Sequence, residues 1–364
     1  MDIMERLAPC QLAEEWDNVG LLIGDPGDRV EGVLVSLDLT APVLAEASAK
    51  GANLILVHHP PIFRPLKELR TDTPLGKLLA DVLKEKMQVY AAHTNLDVAP
   101  LGVSQQLARK LELVETRILQ PAGEDKLFKL VVFVPESHEA HVRKSLGDAG
   151  AGWIGNYSHC TFRTAGKGTF RPLEGADPFL GRVGQLEEAA EYRLETIVPQ
   201  SRLQEVIKAM LASHPYEEVA YDLYPLSNRG RAYGLGRVGQ LIEPMLFSDF
   251  VEYVKLTLGN QQVKVAGDLN MKVERVAVCG GAGGSLVSRA AQEKAQVLVT
   301  GDVSYHQAQE ALSLGLGVID AGHYLTERVV LNSLVDYLKE ALSGYSPAPA
   351  VFSTEINSEP WKVL

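Results

Sequence analysis

Apolar runs alternate with helix-patterned segments at both ends of the chain, and three of those runs end in polar clusters. Asn53-Leu54-Ile55-Leu56-Val57 is preceded by Gly51 and closed by His58-His59-Pro60-Pro61. Such a run reads as a strand buried on both faces. Upstream, Gly32 to Leu37 reads as another strand, and Ala41 to Lys50 as an alanine-rich helix stopped by Gly51. Downstream, Pro74 to Lys86 carries apolar residues at helical spacing, with a proline in the first turn. Gln88 to Ala92 is then a strand that delivers His93-Thr94-Asn95-Leu96-Asp97 to the loop beyond it. This strand–helix succession predicts a parallel or mixed sheet covered by helices.

The last third repeats the pattern. Val30-Glu31-x-Val33-x-Val35 recurs as Val273-Glu274-x-Val276-x-Val278, and at the same offset Ala52, Leu54 and Leu56 meet Ala295, Val297 and Val299. His59 then falls on Asp302. Valines match easily by chance, so the argument rests on agreement across an ungapped strand–helix–strand unit, which predicts two related half-domains. Strand-like Leu316 to Asp320 leads into Gly322-His323-Tyr324-Leu325-Thr326-Glu327. Ligands in open α/β sheets bind at such carboxyl edges. Two independent doubly wound domains would leave these polar clusters in separate clefts.

Between the halves, residues from about 126 to about 227 differ in character. Leu127 to Pro135 and Tyr192 to Pro199 read as strands, followed by helices from Glu139 to Leu146 and from Ser201 to Ala212. Strand–proline–helix thus occurs twice, the pattern of a small α+β sandwich. The expected organisation is a core of residues 1–125 and 228–364, interrupted by an insertion over 126–227, with hinges near Pro121 to Asp125 and Ser227 to Arg231.

A length of 364 residues suits two or three domains. The net charge of −11 argues against general nucleic-acid binding, and no apolar run is long enough to span a bilayer. Met1-Asp2-Ile3-Met4-Glu5 lacks the features of a secretory signal. Cys10, Cys160 and Cys279 stand far apart without zinc-type spacing. A reduced cytoplasmic protein is expected, with any metal held by nitrogen and oxygen.

His58 and His59 on an ideal strand point to opposite faces, so they share one ion only where the chain is turning, or serve two ions. His323 and Glu327 stand four apart, on one face of a helix, suited to chelation; a plain surface ion pair has the same spacing. Asp97 and Asn95 also suit a turn satisfying backbone amides. Gly280-Gly281-Ala282-Gly283-Gly284-Ser285 follows a strand and precedes a helix, a context for anion binding, although it is no complete nucleotide fingerprint. His159, Cys160 and His214 read as loop and helix-end residues rather than as a second metal site.

Leu12-Ala13-Glu14-Glu15-Trp16-Asp17-Asn18-Val19-Gly20-Leu21, His58-His59-Pro60, His93 to Asp97, Gly301-Asp302-Val303-Ser304-Tyr305-His306 and Gly322 to Glu327 together resemble the Nif-three-like dinuclear metal-centre family, also called GTP cyclohydrolase I type 2 homologues. The resemblance covers essentially the entire chain. It implies metal ligands at His58, His59, Asp97, His323 and Glu327, a dinuclear centre of two divalent ions per chain, and a ring-like homohexamer; nitrogen and oxygen ligation suits zinc, iron, manganese, cobalt or nickel alike. His93, Asp302 and His306 are expected at the same cleft as proton carriers or supporting groups. The insertion resembles the PII-like or CutA-like domain of longer bacterial members, through Gly152 to Cys160 and His214-Pro215-Tyr216-Glu217-Glu218. The functional expectation is a metal-dependent hydrolase acting on a small, nucleotide-like substrate. The alternative is a metal-binding regulatory or metal-delivery protein without turnover.

Overall fold

A computed structural model of the chain describes residues 1–362. It divides into two units, one formed by Met1–Ala122 with the segment from Tyr233 onward, the other by Gly123–Ala232.

The first unit contains two sheets. One has five strands in the order Gly20–Ile23, Gln88–Ala91, Leu54–Val57, Gly32–Ser36, Ala350–Ser353. Its first pair is antiparallel and the rest are parallel. The other has six strands in the order Lys264–Ala266, Gly317–Asp320, Val297–Gly301, Lys272–Ala282, Ala232–Leu246, Val114–Glu124. It repeats an antiparallel edge strand against a parallel group of three. The registers coincide as well. Val33 pairs with Leu54 and Val35 with Leu56, while Val276 pairs with Val297 and Val278 with Val299. The two halves are therefore related in sheet order and in register.

Every residue of Gly32–Ser36, Gln88–Ala91, Val297–Gly301 and Gly317–Asp320 is buried. Continuous apolar runs become central strands because helices cover both faces. Those helices start where the sequence supplies caps. Thr40 accepts a hydrogen bond from the Val43 amide, Thr73 accepts from Gly76, and Ser304 with Gln307 forms a capping box. In each half the third strand of the parallel group runs into a short helix, Thr94–Val98 in one and His323–Arg328 in the other. That repetition places a His-x-x-x-carboxylate pair, His93/Asp97 and His323/Glu327, at equivalent positions.

The second unit runs Leu127–Pro135, Glu139–Asp148, Thr161–Phe170, Glu187–Pro199, Leu203–Ser213, Tyr221–Pro225, a strand–helix–strand–strand–helix–strand order. Its four-stranded antiparallel sheet places Leu127–Pro135 and Glu187–Pro199 in the centre. This is the ferredoxin-like topology. One of its elements differs from expectation. The glycine-rich stretch around Gly166 and Gly168 is a strand of ten residues, because a hairpin partner supplies its ladder from Thr161↔Thr196 to Phe170↔Glu187. His214, read from sequence as a helix-end residue, closes the helix Leu203–Ser213 and donates from Nε2 to the Phe133 carbonyl.

Candidate metal centre

The strand Leu54–Val57 ends one residue before His58, and the chain turns there. The His58 amide bonds the carbonyls of Ser36 and Leu37, and the His59 amide bonds Leu37. The turn frees the two rings from strand alternation, and their centroids lie 4.9 Å apart on one side. His93, directly before the helix Thr94–Val98, brings its ring 5.2 Å from His58 and 5.6 Å from His59. From the other half, the His323 ring lies 5.5 Å from His59.

Each of the four imidazoles has Nδ1 on an oxygen that only accepts. His58 donates to the Ala92 carbonyl at 2.7 Å and His59 to Asp38 at 2.8 Å. His93 donates to Asp17 at 2.9 Å and His323 to Asp302 at 2.7 Å. A proton fixed on Nδ1 leaves Nε2 with its lone pair, the form in which histidine binds a metal. The Nε2 atoms of His58, His59 and His323 converge on two carboxylates. Glu327 Oε1 lies 3.0 Å from His323 and 3.6 Å from His58, its Oε2 lies 3.0 Å from His59, and Asp97 Oδ1 lies 3.6 Å from His58. His58, His59 and His93 form one group of donor atoms within 4.8 Å of one another, and His59, His323 and Glu327 another.

His58 Nε2 and Glu327 Oε2 are buried and find no hydrogen-bond partner among the described residues. Polar atoms in that position are costly unless something else satisfies them. A divalent cation is the partner that nitrogen lone pairs and carboxylate oxygens share, so the residues fit a metal centre.

The electrostatics agree. Burial disfavours the charged forms of His58 and His59, but Glu327, Asp97 and Asp38 outweigh it; both are raised, His59 to about 10. The hydrogen bond to Glu327 pushes His323 up to about 9. Burial alone would raise Glu327, yet the surrounding imidazoles hold it well below the usual carboxylate range. Asp97 is pushed up to about 6, by burial first and by the Glu327 charge as a smaller contribution. Burial lowers His93 despite its bond to Asp17. Without a cation, protons on the rings must neutralise Glu327, standing in for positive charge that a metal would supply.

Gly281 supplies the cradle. It sits at φ +63, and a Cβ built there would fall 2.2 Å from Glu327 Oε1 and 3.4 Å from His323 Cε1. Gly281→Ala is expected to strain the backbone by about 1–2 kcal/mol and to weaken metal binding about tenfold or more by displacing Glu327. Calorimetric titration with zinc compares the variant with the native chain; equal affinity would show that the close approach does not matter.

The glycine stretch around Gly281 is corrected in its other reading. The Gly280, Gly281 and Gly283 amides bond the hydroxyls of Ser104, Thr326 and Thr300 at 3.4, 3.0 and 2.8 Å. They are engaged in holding the strand end against the helix that carries Glu327, and are not presented to an anion.

Of the residues singled out from sequence, His58, His59, His93, Asp97, His323 and Glu327 meet in one cluster, and Asp302 reaches it through His323. His306 stands on the helix Tyr305–Ser313 with its ring 5.5 Å from Tyr305, and no contact joins it to the cluster among the described residues. Asp17 and Asp38 emerge only here as the acceptors for His93 and His59. Asp38 follows the strand Gly32–Ser36, so the carboxyl-edge rule that singled out His58 also reaches it. Exposed Trp16 and Phe63 stand at the rim, 5.7 Å apart and each within 6.4 Å of His93.

A model of the family described as Duf34/NIF3 (NGG1p interacting factor 3) matches residues 1–360. A GTP cyclohydrolase 1 type 2 homolog of Bacillus subtilis is 45% identical over 364 residues, covering 100% of this chain and 97% of that protein. One from Halalkalibacterium halodurans is 43% identical, covering 100% and 98%. Among solved structures, a Bacillus cereus protein related to NIF3 matches with a TM-score of 0.87 at 44% identity, covering 100% of this chain and 97% of that one. Staphylococcus aureus protein SA1388 matches at 0.72 and 30% identity, with the same coverage.

Proposed function

Because the chain belongs to the Duf34/NIF3 family, whose model matches residues 1–360, we propose that its histidine–carboxylate cluster binds two divalent cations and serves hydrolysis of a small, nucleotide-like substrate. The observation that carries this reading is the convergence of the His58, His59 and His323 Nε2 atoms, each ring with Nδ1 already engaged, on Glu327 and Asp97, with His93 grouped beside His58 and His59.

His58, His59, Asp97, His323 and Glu327 would hold the ions. Bound there, divalent ions supply Lewis acidity, activating water and offsetting charge that develops on the substrate. The protein supplies position. Asp17, Asp38 and Asp302 fix ring orientation, and Asp302 does so from a left-handed backbone at φ +52, a conformation aspartate tolerates better than most residues. His93 lies between the cluster and the exposed pair Trp16–Phe63. It is the ring best placed to hold or pass a proton at Nε2. Trp16 and Phe63 offer π-faces to a planar heterocycle, a sequence-tolerant way of holding a base.

The test is turnover. Protein stripped of metal and reloaded with each candidate ion is incubated with GTP, other nucleotides and phosphodiesters, beside Asp97→Ala as control. The expected result is hydrolysis of at least one substrate class, lowered by about 10²-fold or more in the variant. Formate release from GTP would identify ring opening as the reaction. Metal bound at two equivalents with no turnover that depends on Asp97 would assign the chain to metal holding or delivery instead.

A further inference from the structure

The ferredoxin-like unit contains a second built cavity. It has a volume of about 460 Å³, inside the roughly 300–1,000 Å³ range of small-molecule sites. One wall is the hairpin of Thr161–Phe170 and Glu187–Pro199; the loop joining those strands folds over it through Pro172, Ala176 and Pro178. Four aromatic rings line it, those of Phe133, Phe170, Phe179 and Tyr216. Tyr216 lies 6.3 Å from Phe170 and 6.0 Å from Phe179, with interplanar angles near 50°.

Glu191 stands among these rings, only 9% exposed. Its Oε1 accepts from the Tyr216 hydroxyl at 2.9 Å. Burial and the Glu191 charge push the Tyr216 pKa upward, so the hydroxyl keeps its proton and donates. Glu191 Oε2 has no hydrogen bond among the described residues. It has room because residue 168 is glycine; a Cβ there would fall 2.1 Å from it. The second oxygen therefore opens into the cavity, a carboxylate oxygen among aromatic faces that is free to accept from a ligand. The other charged lining groups are Glu217, Glu218 and Arg171, so acids outnumber bases by three to one. Glu217 is turned to the covering loop, accepting from the Asp177 amide at 3.0 Å. His138 and His214 stack edge-on against Phe179 and Tyr216.

We propose that this cavity binds a small organic ammonium ion with an apolar body, its cationic nitrogen on Glu191 and its body against Phe170, Phe179 and Tyr216. A carboxylate supplies the charge-assisted hydrogen bond, and the aromatic faces add attraction for a cation that has left water. The apolar volume favours a ligand with a hydrocarbon or aryl body over a bare inorganic ion. The site belongs to the insertion, and the proposal is independent of what the metal centre does.

The test uses the full chain with its metal content fixed. Calorimetric titration with phenethylamine is compared with 2-phenylethanol, which keeps shape and removes charge, and with 3-phenylpropanoate, which reverses it. Saturable binding of the ammonium is expected, about tenfold or more tighter than either control. Glu191→Gln keeps an acceptor for Tyr216 and should lower ammonium affinity about tenfold while leaving the alcohol unchanged. Phe179→Leu, in the covering loop, is a second variant with no buried charge at risk; it should weaken the ammonium severalfold. Equal binding of the alcohol, an unchanged Glu191→Gln, or no saturable binding of the ammonium would each overturn the proposal.

Discussion

Glu327→Gln protein is expected to leave purification nearly free of divalent metal, while the native chain carries close to two equivalents. Glu327 is 4% exposed and touches His58, His59 and His323 at once. Its amide isostere fills the same space but offers one oxygen and no charge. Losing a partner outside a metal's own ligands costs about 10–100-fold in affinity, so losing the ligand that three imidazoles share should cost more than about hundredfold. Stability reports the same event. A cation at about a thousand times its Kd stabilises the native state by about 4 kcal/mol. For a core of this size that raises Tm by roughly 10 °C. Stripped native protein should show this rise on zinc addition, and stripped Glu327→Gln should show little. Matching metal content and matching shifts in the two proteins would move the site elsewhere.

The pH dependence has a definite sign. His59 and His323 are raised to about 10 and about 9 in the metal-free fold. Their contribution to the stripped protein is fully present below the unfolded value near 6.5. It is lost as pH rises through 9 and then 10. Glu327 is depressed, so its contribution is present above its unfolded value and lost as pH falls through its lowered one. Metal binding runs the other way, because each Nε2 must give up its proton first. Zinc-induced stabilisation should therefore grow with pH over the range in which the stripped protein weakens.

The cluster was legible because its donors follow strands that the apolar pattern marks well. The run ending at Val57 and the run ending at Asp320 announce buried strands, and chemistry placed just beyond them has little else to do. Strand alternation predicts opposed rings for His58 and His59, and only the backbone turn onto Ser36 and Leu37 removes that conflict. Asp38 carries no distinct signal in sequence, since Asp38-Leu39-Thr40 also suits a helix-entry turn, and only folding brings it to His59. Asp17 is distant in sequence from His93, and nothing local signals their bond. Val114–Glu124 was hidden for another reason. It lies at a sheet edge with Leu119 as its one buried residue, and it contains Pro121, so it shows no alternation to detect. Interior strands announce themselves through burial, whereas edge strands depend on partners that local sequence does not name.

Arg237→Met is expected to lower Tm by roughly 10 °C, following a loss of about 3–5 kcal/mol. Arg237 is 2% exposed, and its guanidinium directs Nε to Gln105, one terminal nitrogen to the carbonyls of Gly234 and Gly236, and the other to those of Ala99 and Pro100. Methionine fills much of the volume but leaves four carbonyls, three of them buried, without this donor, and unsatisfied acceptors are the expensive part of such a change. The location extends the effect to the metal centre. Ala99 and Pro100 directly follow the helix Thr94–Val98 that carries Asp97, while Arg237 sits on a strand paired with Lys272–Ala282, whose end holds Gly281 against Glu327. The arginine thus ties the chain behind Asp97 to the half that supplies Glu327, and these two carboxylates are the site's charge. Arg237→Lys should rescue little, since three donors on a flexible stem cannot serve four carbonyls and an amide in a planar fork. Thermal melts and metal analysis of both variants test this together. Variants melting within about 3 °C of native with unchanged metal would show that the halves are held by their packing alone.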